Sequence, residues 1–329
     1  MSNTFRVVDY DIIYLSYDEP NAEQNYADLL TKAPWAERVH GVKGSDSAHK
    51  AAAEKAKTDR FITIDGDNRI RDDFLSQVIN FDENLDLTNK VISWTAKNKI
   101  NGLMYGNGGI KCWPKAHVLN MRTHENADPD NPHAQVDFCW DTEYVQMNGT
   151  FSDIYNNATP KQAWRAGFRE GVKMTLADGD VVDKHVIKKL NRSNYKRLLT
   201  WMSVGADAEN GLWAIYGARL GCVMTNLRRN EWDWKNVRDF DWLTKYFNEE
   251  IAYQFAGGDM MCTRTGFEWD SAKLWKATVD LGKEIRREFD LEIADLDTNG
   301  SRFFKTAYVN PSRLGAMVKE DQVINGIDK

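Results

Sequence analysis

A regular alternation of strand and helix over the first 65 residues limits the architecture of this chain more than any other feature. YDIIYLSYD carries Ile12, Ile13, Tyr14 and Leu15 in one apolar run that ends in polar residues, the pattern of a strand buried on both faces. Pro20 and Asn21 open a helical stretch with Tyr26, Leu29 and Leu30 on one side, and RVHGV follows as a second strand. SDSAHKAAAEKAKT is alanine-rich, with Ser45 or Ser47 as its N-cap, and reads as a helix. RFITIDGDN supplies a third strand, Phe61 to Ile64, that runs straight into acids. Such an order implies right-handed crossovers and an α/β fold, a mostly parallel sheet flanked by helices.

The middle of the chain reads as loops. NGLMYGNGGIKCWP contains Gly106, Gly108 and Gly109, and Asn107-Gly108 is a type I′ turn dipeptide. HENADPDNPH is a polar loop in which His124 and His133 bracket Asp128 and Asp130 without a standard metal-ligand spacing. In TPKQAWRAGFREGVKM, Thr159 can cap, Pro160 sits at the first helical position and Gln162 completes a capping box, while Trp164, Phe168 and Val172 form one apolar stripe. Beyond about residue 184 the pattern is mainly helical. Leu243, Phe247, Ile251 and Phe255 line a helix that stops at Gly257-Gly258, and Leu274, Leu281 and Ile285 line another. The expected organisation is a first domain over 1–180 and a mainly helical part over 181–329, divided by a change of pattern across which one core can continue.

Composition removes several classes. The net charge of −6 argues against an all-over basic nucleic-acid coat. The four cysteines have no C-x-x-C spacing, so neither a zinc knuckle nor a disulfide framework is signalled, and reduced thiols fit a cytoplasmic protein. MSNTFRVVDYD is not a secretory signal, and no apolar run approaches the ~18 residues that a membrane helix needs.

Asp65-Gly66-Asp67 is the strongest chemical signal. Residues i and i+2 of an extended segment face the same way, so both carboxylates project together from the carboxyl end of a strand, where open α/β sheets bind ligands. Two hard oxygen ligands with open positions suit Mg²⁺ or Mn²⁺ bridging a diphosphate. A solvated Asp-Gly turn is the plain alternative. Asp178-Gly179-Asp180 repeats the tripeptide after a helical pattern and reads as a helix C-terminal turn. Asp295, Asp297, Asn299 and Gly300 match the first half of a calcium loop, but Thr306 stands where a bidentate Glu belongs, which favours a turn.

The order YDIIYLSYDEPN, an Ala-rich helix and FITIDGDNRI resembles the GT-A (A-type) nucleotide-sugar glycosyltransferases, whose fold is Rossmann-like. YGNGGIKCWP, AWRAGFREGVK and GLWAIYGARLG are similar to segments of tailed-phage glycosyltransferase-like proteins. The resemblance implies that Asp65 and Asp67 hold Mn²⁺ or Mg²⁺, with His185 a candidate third ligand. It implies that Tyr14, Ser16, Tyr17, Asp18 and Gly66 contact the nucleotide of a UDP-linked donor. Gly106, Asn107, Gly108, Gly109 and Lys111 would border sugar and acceptor, with Lys111 available to phosphate. The base of an inverting transfer would be one of Asp137, Asp141 and Glu143, with Asp141 favoured by its place after the acceptor loop. In a retaining reaction the same acids would position the sugar. The helical part would bind the acceptor.

Lys184, Lys188, Lys189, Arg192, Lys196 and Arg197 lie in a stretch without an acid, which permits contact with a phosphodiester backbone; a solvated helix face is the plainer alternative. Trp201, Trp213, Trp232 and Trp234 could stack on an extruded base or fill a core. Together with the phage resemblance, this makes the hydroxymethyl group of a modified pyrimidine in double-stranded phage DNA the expected acceptor, in the host cytoplasm. A polysaccharide or protein acceptor suits the overall acidity. A nucleotidyltransferase would place a Gly-rich, basic phosphate loop after the first strand, and SYDEPNAEQN has none.

Overall fold

The computed structural model describes residues 4–126, 130, 142–177, 179–189, 192–257, 268–307, 323–324 and 327–328. The chain divides into two compact units, Met1–Asn156 with Asn310–Lys329, and Asn157–Val309.

The first unit runs β1 (Thr4–Arg6), β2 (Asp11–Ser16), α1 (Ala22–Lys32), β3 (Glu37–His40), α2 (Ser45–Lys55), β4 (Arg60–Asp65), β5 (Asn68–Ile70), β6 (Val78–Asn80), β7 (Val91–Asn98), β8 (Met104–Pro114), α3 (Lys115–Asn120) and β9 (Tyr144–Ile154). β1 and β6 form a separate antiparallel pair. The other seven strands make one sheet in the order β3-β2-β4-β8-β7-β9-β5. β2, β3 and β4 are parallel, as their helical crossovers require. The expectation of a mostly parallel sheet is corrected beyond β4. β8 is antiparallel to both β4 and β7, β5 is antiparallel to β9, and only β7 and β9 restore a parallel pair, so the sheet is mixed.

The reason lies in the supposed glycine loop. β7 and β8 are joined by residues 99–103, too few for a crossover, so a hairpin results. The turning dipeptide is Asn101-Gly102, with Gly102 at φ +77° and the Asn101 carboxamide accepting from Leu103 N at 3.1 Å. Asn107-Gly108 is not a turn. It lies inside β8, where the glycines permit close approach: a Cβ on Gly108 would stand 2.6 Å from the Ala96 Cβ, at the irregularity in the β7–β8 register.

β5 begins only two residues after β4, yet it pairs three strands further along the order. A two-residue link spans roughly 10 Å at most, so the sheet has to curl back across β8 and β7. Gly109 marks the crossing, since a Cβ there would fall 2.1 Å from Asn68 Nδ2.

The sheet is covered on both faces. Ile12, Tyr14, Ile62, Ile64, Ile110 and Trp94 pack with Leu29 of α1, and Ile13, Leu15, Phe61 and Trp113 pack with Ala52 and Ala53 of α2. The N-terminus of α2 differs from expectation. Its N-cap is Gly44, and neither serine caps it. The Glu125 carboxylate reaches in from far along the chain and accepts from Ser45 N at 2.6 Å and Asp46 N at 3.3 Å, placing negative charge where the helix dipole favours it.

The second unit contains α4 (Pro160–Lys173), β10 (Leu176–Ala177), β11 (Asp180–Val181), α5 (Arg192–Trp201), α6 (Gly211–Leu227), α7 (Phe240–Tyr246), α8 (Tyr253–Phe255), α9 (Ser271–Phe289) and α10 (Thr298–Ala307). The division falls at residue 156, ahead of the change of pattern near 180, because α4 packs tightly on α6: Cβ atoms on Gly167 and Gly171 would stand 1.9 and 2.1 Å from the Ala214 and Ala218 carbonyl oxygens. α4 begins as its sequence indicates, with Thr159 Oγ1 accepting from Gln162 N at 3.2 Å and Pro160 opening the helix. Trp164, Phe168 and Val172 are wholly buried.

Between α7 and α8 the chain is a π-helix, Phe247–Ala252. Four-residue spacing overshoots an α-helical turn by about 40° per step, and the wider π turns bring Leu243, Phe247, Ile251 and Phe255 back onto one buried stripe. Asp180 opens the second strand of a tight β10–β11 hairpin turned by Gly179 at φ +93°, so this segment is not a helix C-terminal turn; Asp178 lies outside the described residues. The calcium-loop acids are likewise committed to the fold. Asp295 pairs with the buried Arg219 at 2.6 Å and with Arg286 at 2.8 Å, and Asp297 caps α10 through Gly300 N at 2.7 Å. No helix among the described residues is long and apolar enough to cross a membrane.

Candidate functional site

β2 has β3 on one side and β4 on the other, so the connections leaving their carboxyl ends diverge there, and the crevice outside such a switch point is where α/β sheets take ligands. Ser16 is in register with His40, and Leu15 with Asp65. The loops after β2 and β4 therefore meet at this crevice.

Asp65 ends β4 on the face that packs against α2, and Asp67 follows Gly66 in the link to β5. Both acids are half-buried. Among the described residues nothing donates a hydrogen bond to the Asp65 carboxylate. Asp67 Oδ1 accepts from Asn68 Nδ2 at 2.7 Å, and its backbone carbonyl accepts from Tyr155 N at 2.7 Å. The peptide between the acids is clamped. The Gly66 carbonyl takes the Tyr14 hydroxyl at 2.6 Å and Asn25 Nδ2 at 3.0 Å, and Asn25 is itself held by Arg69 Nε at 2.8 Å. A Cβ at Gly66 would stand 2.6 Å from the Glu19 carboxylate and 3.0 Å from the Leu15 carbonyl oxygen, so a side chain there would push Glu19 aside. Glu19 also accepts from Tyr17 N at 2.7 Å. Burial, followed by the charges of Glu19 and Asp67, raises the Tyr14 pKa, so the hydroxyl keeps its proton and remains a donor.

On the α2 face, Lys111 is in register with Thr63, two residues before Asp65. Lys111 is half-buried and donates to the Gly108 carbonyl at 3.0 Å, and among the described residues it has no carboxylate at ion-pair distance. His49 of α2 packs edge-on to Trp113, and its Nδ1 donates to the Ser45 carbonyl at 2.8 Å. Burial depresses the His49 pKa, while the opposed charges of Asp65 and Lys111 both reach it. The end of β4 thus offers an acid with no donor among the described residues and a half-buried cation on the α2 face, with a second acid on the clamped turn that follows. Carboxylate oxygens are the ligand type that a hard divalent ion takes, and a lysine is the partner that an anionic oxygen takes.

The other expected site residues separate clearly. Tyr14 is fully buried and supports Gly66 from behind, so it acts on the acids rather than on a ligand. Ser16 is 8% exposed and engaged by Arg38 and His40; Tyr17 and Asp18 are half-buried at the end of β2. Gly106 and Asn107 belong to β8, not to a loop. Asp137 and Asp141 lie outside the described residues, as do Asp128 and His133.

Glu143 is removed from the base candidates. Its carbonyl accepts from Val91 N at the amino ends of β7 and β9, about 13 Å along the strands from the Asp65 end, and its carboxylate pairs with Lys90. A groove of about 720 Å³ opens at that same amino end, lined by Asp59, Arg60, Leu87, Lys115 and Leu119. Its cations serve the fold, Arg60 bonding the Leu87 and Lys90 carbonyls and Lys115 the Ala56 carbonyl.

In the second unit, His185 is exposed on the 3-10 helix Lys184–Lys189. The basic segment is not acid-free in three dimensions. Lys184 pairs with Glu288 at 2.6 Å, Lys188 pairs with Asp290, and bonds from Lys184 and Arg287 pull the Glu288 pKa down to about 2. Lys189 is exposed, Lys196 and Arg197 are half-buried, and the Arg192 side chain lies outside the described residues. Trp201 and Trp213 are core residues; Trp232 is half-buried between Phe168 and Trp242, and Trp234 lies under Arg238.

Sequence reasoning missed Glu19, Asn25, Arg38, His40 and His49. Glu19 had a signal, being an acid in the loop after the first strand. The others join the crevice through strand register and helix packing. Tyr14→Phe is expected to cost about 1 kcal/mol, because Asn25 still satisfies the Gly66 carbonyl; an unchanged urea midpoint would show that the clamp does not need the hydroxyl. Comparison with known proteins gives no matching family model and no matching curated protein.

Proposed function

We propose that this chain is a metal-dependent glycosyltransferase of the GT-A kind, moving a sugar from a nucleotide-sugar, best a UDP-sugar, to an acceptor hydroxyl in the cytoplasm. The observation that carries the reading is the pair Asp65 and Asp67 at the carboxyl end of β4 beside the switch point, with Asp65 free of donors among the described residues and Lys111 two positions back on the same face. The donor set fits Mn²⁺ or Mg²⁺, whose chemistry there would be to neutralise charge on the departing diphosphate. The residues of the chain divide the remaining work. Tyr14 and Asn25 fix the Gly66 peptide, so the backbone that carries both acids is held in place, and Lys111 supplies a positive charge in a partly water-excluded place. Asp141 and Asp137 stay the candidates for taking the acceptor proton.

For the acceptor, the resemblance supports the hydroxymethyl group of a modified pyrimidine in phage DNA. A polysaccharide or protein hydroxyl is the second reading, favoured because Lys184 and Lys188 are already neutralised by Glu288 and Asp290. Incubating the full chain with a panel of nucleotide-sugars and Mn²⁺, followed by mass spectrometry, tests both levels. One donor should release its nucleoside diphosphate, and EDTA should stop the release; no release from any donor would refute the proposal. Transfer to hydroxymethylated duplex should fall steeply with salt, whereas salt-insensitive transfer to a glycan or protein would select the second reading.

A further inference from the structure

The carboxyl ends of β2 and β3 carry a hydrogen-bonded network that the metal and phosphate chemistry does not use. Arg38 Nε donates to Ser16 Oγ at 2.8 Å, and Arg38 Nη2 lies 3.0 Å from His40 Nδ1, which is also 2.9 Å from Ser16 Oγ. The guanidinium is fixed further by Glu23 at 2.6 Å and by the Tyr14 and Tyr26 rings beneath it. An arginine nitrogen can only donate, so His40 Nδ1 must accept, and the proton of the neutral ring is on Nε2. Ser16 agrees with this, accepting from Arg38 and donating to His40. His40 is exposed, and beside it Gly41 faces open space, since a Cβ there would meet no atom within 4 Å. The network therefore presents a fixed N–H donor at the rim of the crevice, on the β3 side of β2.

We infer that His40 Nε2–H is a specificity-determining donor that reads the exocyclic group at pyrimidine C4 or purine C6, selecting a nucleotide whose base carries a keto oxygen there, uracil or guanine, over one that carries an amino group there, cytosine or adenine. The inference rests on the proposed reading that a nucleotide occupies this crevice. Its physical basis is that a donor whose tautomer is locked by Arg38 cannot turn into an acceptor, so an exocyclic amino group would face it donor to donor. A site built around a fixed hydrogen bond rejects an analogue that cannot complete it.

Calorimetric titration of the full chain with UDP, CDP, GDP and ADP in Mn²⁺ tests this, because the diphosphate and metal contributions are common to all four. UDP or GDP should bind at least about tenfold tighter than CDP and ADP. His40→Phe should compress that ratio to within about threefold while diphosphate binding persists, and His40→Gln, which offers one acceptor and one donor, should restore part of it. Circular dichroism and thermal melting confirm folding of both variants at this exposed position. Binding without a keto preference, or a preference that survives in His40→Phe, overturns the role of His40 and leaves the nucleotide-sugar reading in place. Binding of none of the four overturns both.

Discussion

Asp65→Asn combined with Asp67→Asn is expected to lower metal-dependent nucleotide-sugar hydrolysis by about a thousandfold, the equivalent of roughly 4 kcal/mol of lost charge stabilisation. The fold should not suffer. Asp65 receives no hydrogen bond among the described residues, and Asp67 and Glu19 both lie near enough to Tyr14 to act on its hydroxyl. Removing like charges from that crowded turn relieves repulsion, so the melting temperature should hold or rise slightly, the usual sign of residues kept for function at a cost in stability. EDTA should bring the wild-type protein down to the level of the double variant and leave the variant unchanged. Undiminished hydrolysis in the variant would remove the metal site and, with it, the reason for reading this crevice as a glycosyl donor site.

Replacing Gly167 and Gly171 together by alanine is expected to destabilise the second unit by about 4 kcal/mol. Each substitution should gain about 1 kcal/mol in helix propensity. Against this, the new methyl groups would stand 1.9 and 2.1 Å from the Ala214 and Ala218 carbonyl oxygens, which are helical backbone and cannot rotate away. Overpacking of this kind costs about 3 kcal/mol per site, so the packing term wins at both positions. α6 closes the contact with glycines of its own, since Cβ atoms on Gly217 and Gly221 would reach the Trp164 and Phe168 carbonyls at 2.4 Å. Forcing the helices apart would also loosen the stacked Trp164 and Phe168 rings beside the contact. Urea unfolding followed by tryptophan fluorescence reads the loss; an unchanged or higher midpoint would mean that the two helices do not depend on this approach.

Much of the first unit was legible because its signals are local. The apolar run Ile12–Leu15, the alanine-rich α2 and the strand ending at Asp65 formed where periodicity placed them, and their parallel order followed from crossover geometry. The capping box at Thr159 and Gln162 was equally readable, since every group in it lies within five residues. Legibility failed at glycines. Asn107-Gly108 and Asn101-Gly102 carry the same dipeptide, and only the second turns, because the first is drawn into β8 between β4 and β7. A glycine needed for close approach and one needed for a turn look identical in sequence.

The same distinction runs through the candidate site. The sequence by itself determined which acids end a strand, that a glycine separates them and that their strand belongs to a parallel group, because backbone geometry and burial act over a few residues. Tertiary structure alone decided that Glu125 caps α2, that Glu143 stands at the far end of the sheet, that Lys184 and Lys188 are neutralised by Glu288 and Asp290 at the end of α9, and that Ser16 joins Arg38 in setting the tautomer of His40. Apart from the Arg38–His40 contact within β3, each of those is an electrostatic or hydrogen-bonded pairing between residues 22 to 104 positions apart, and such partners are chosen by how the sheet curls and the helices cross.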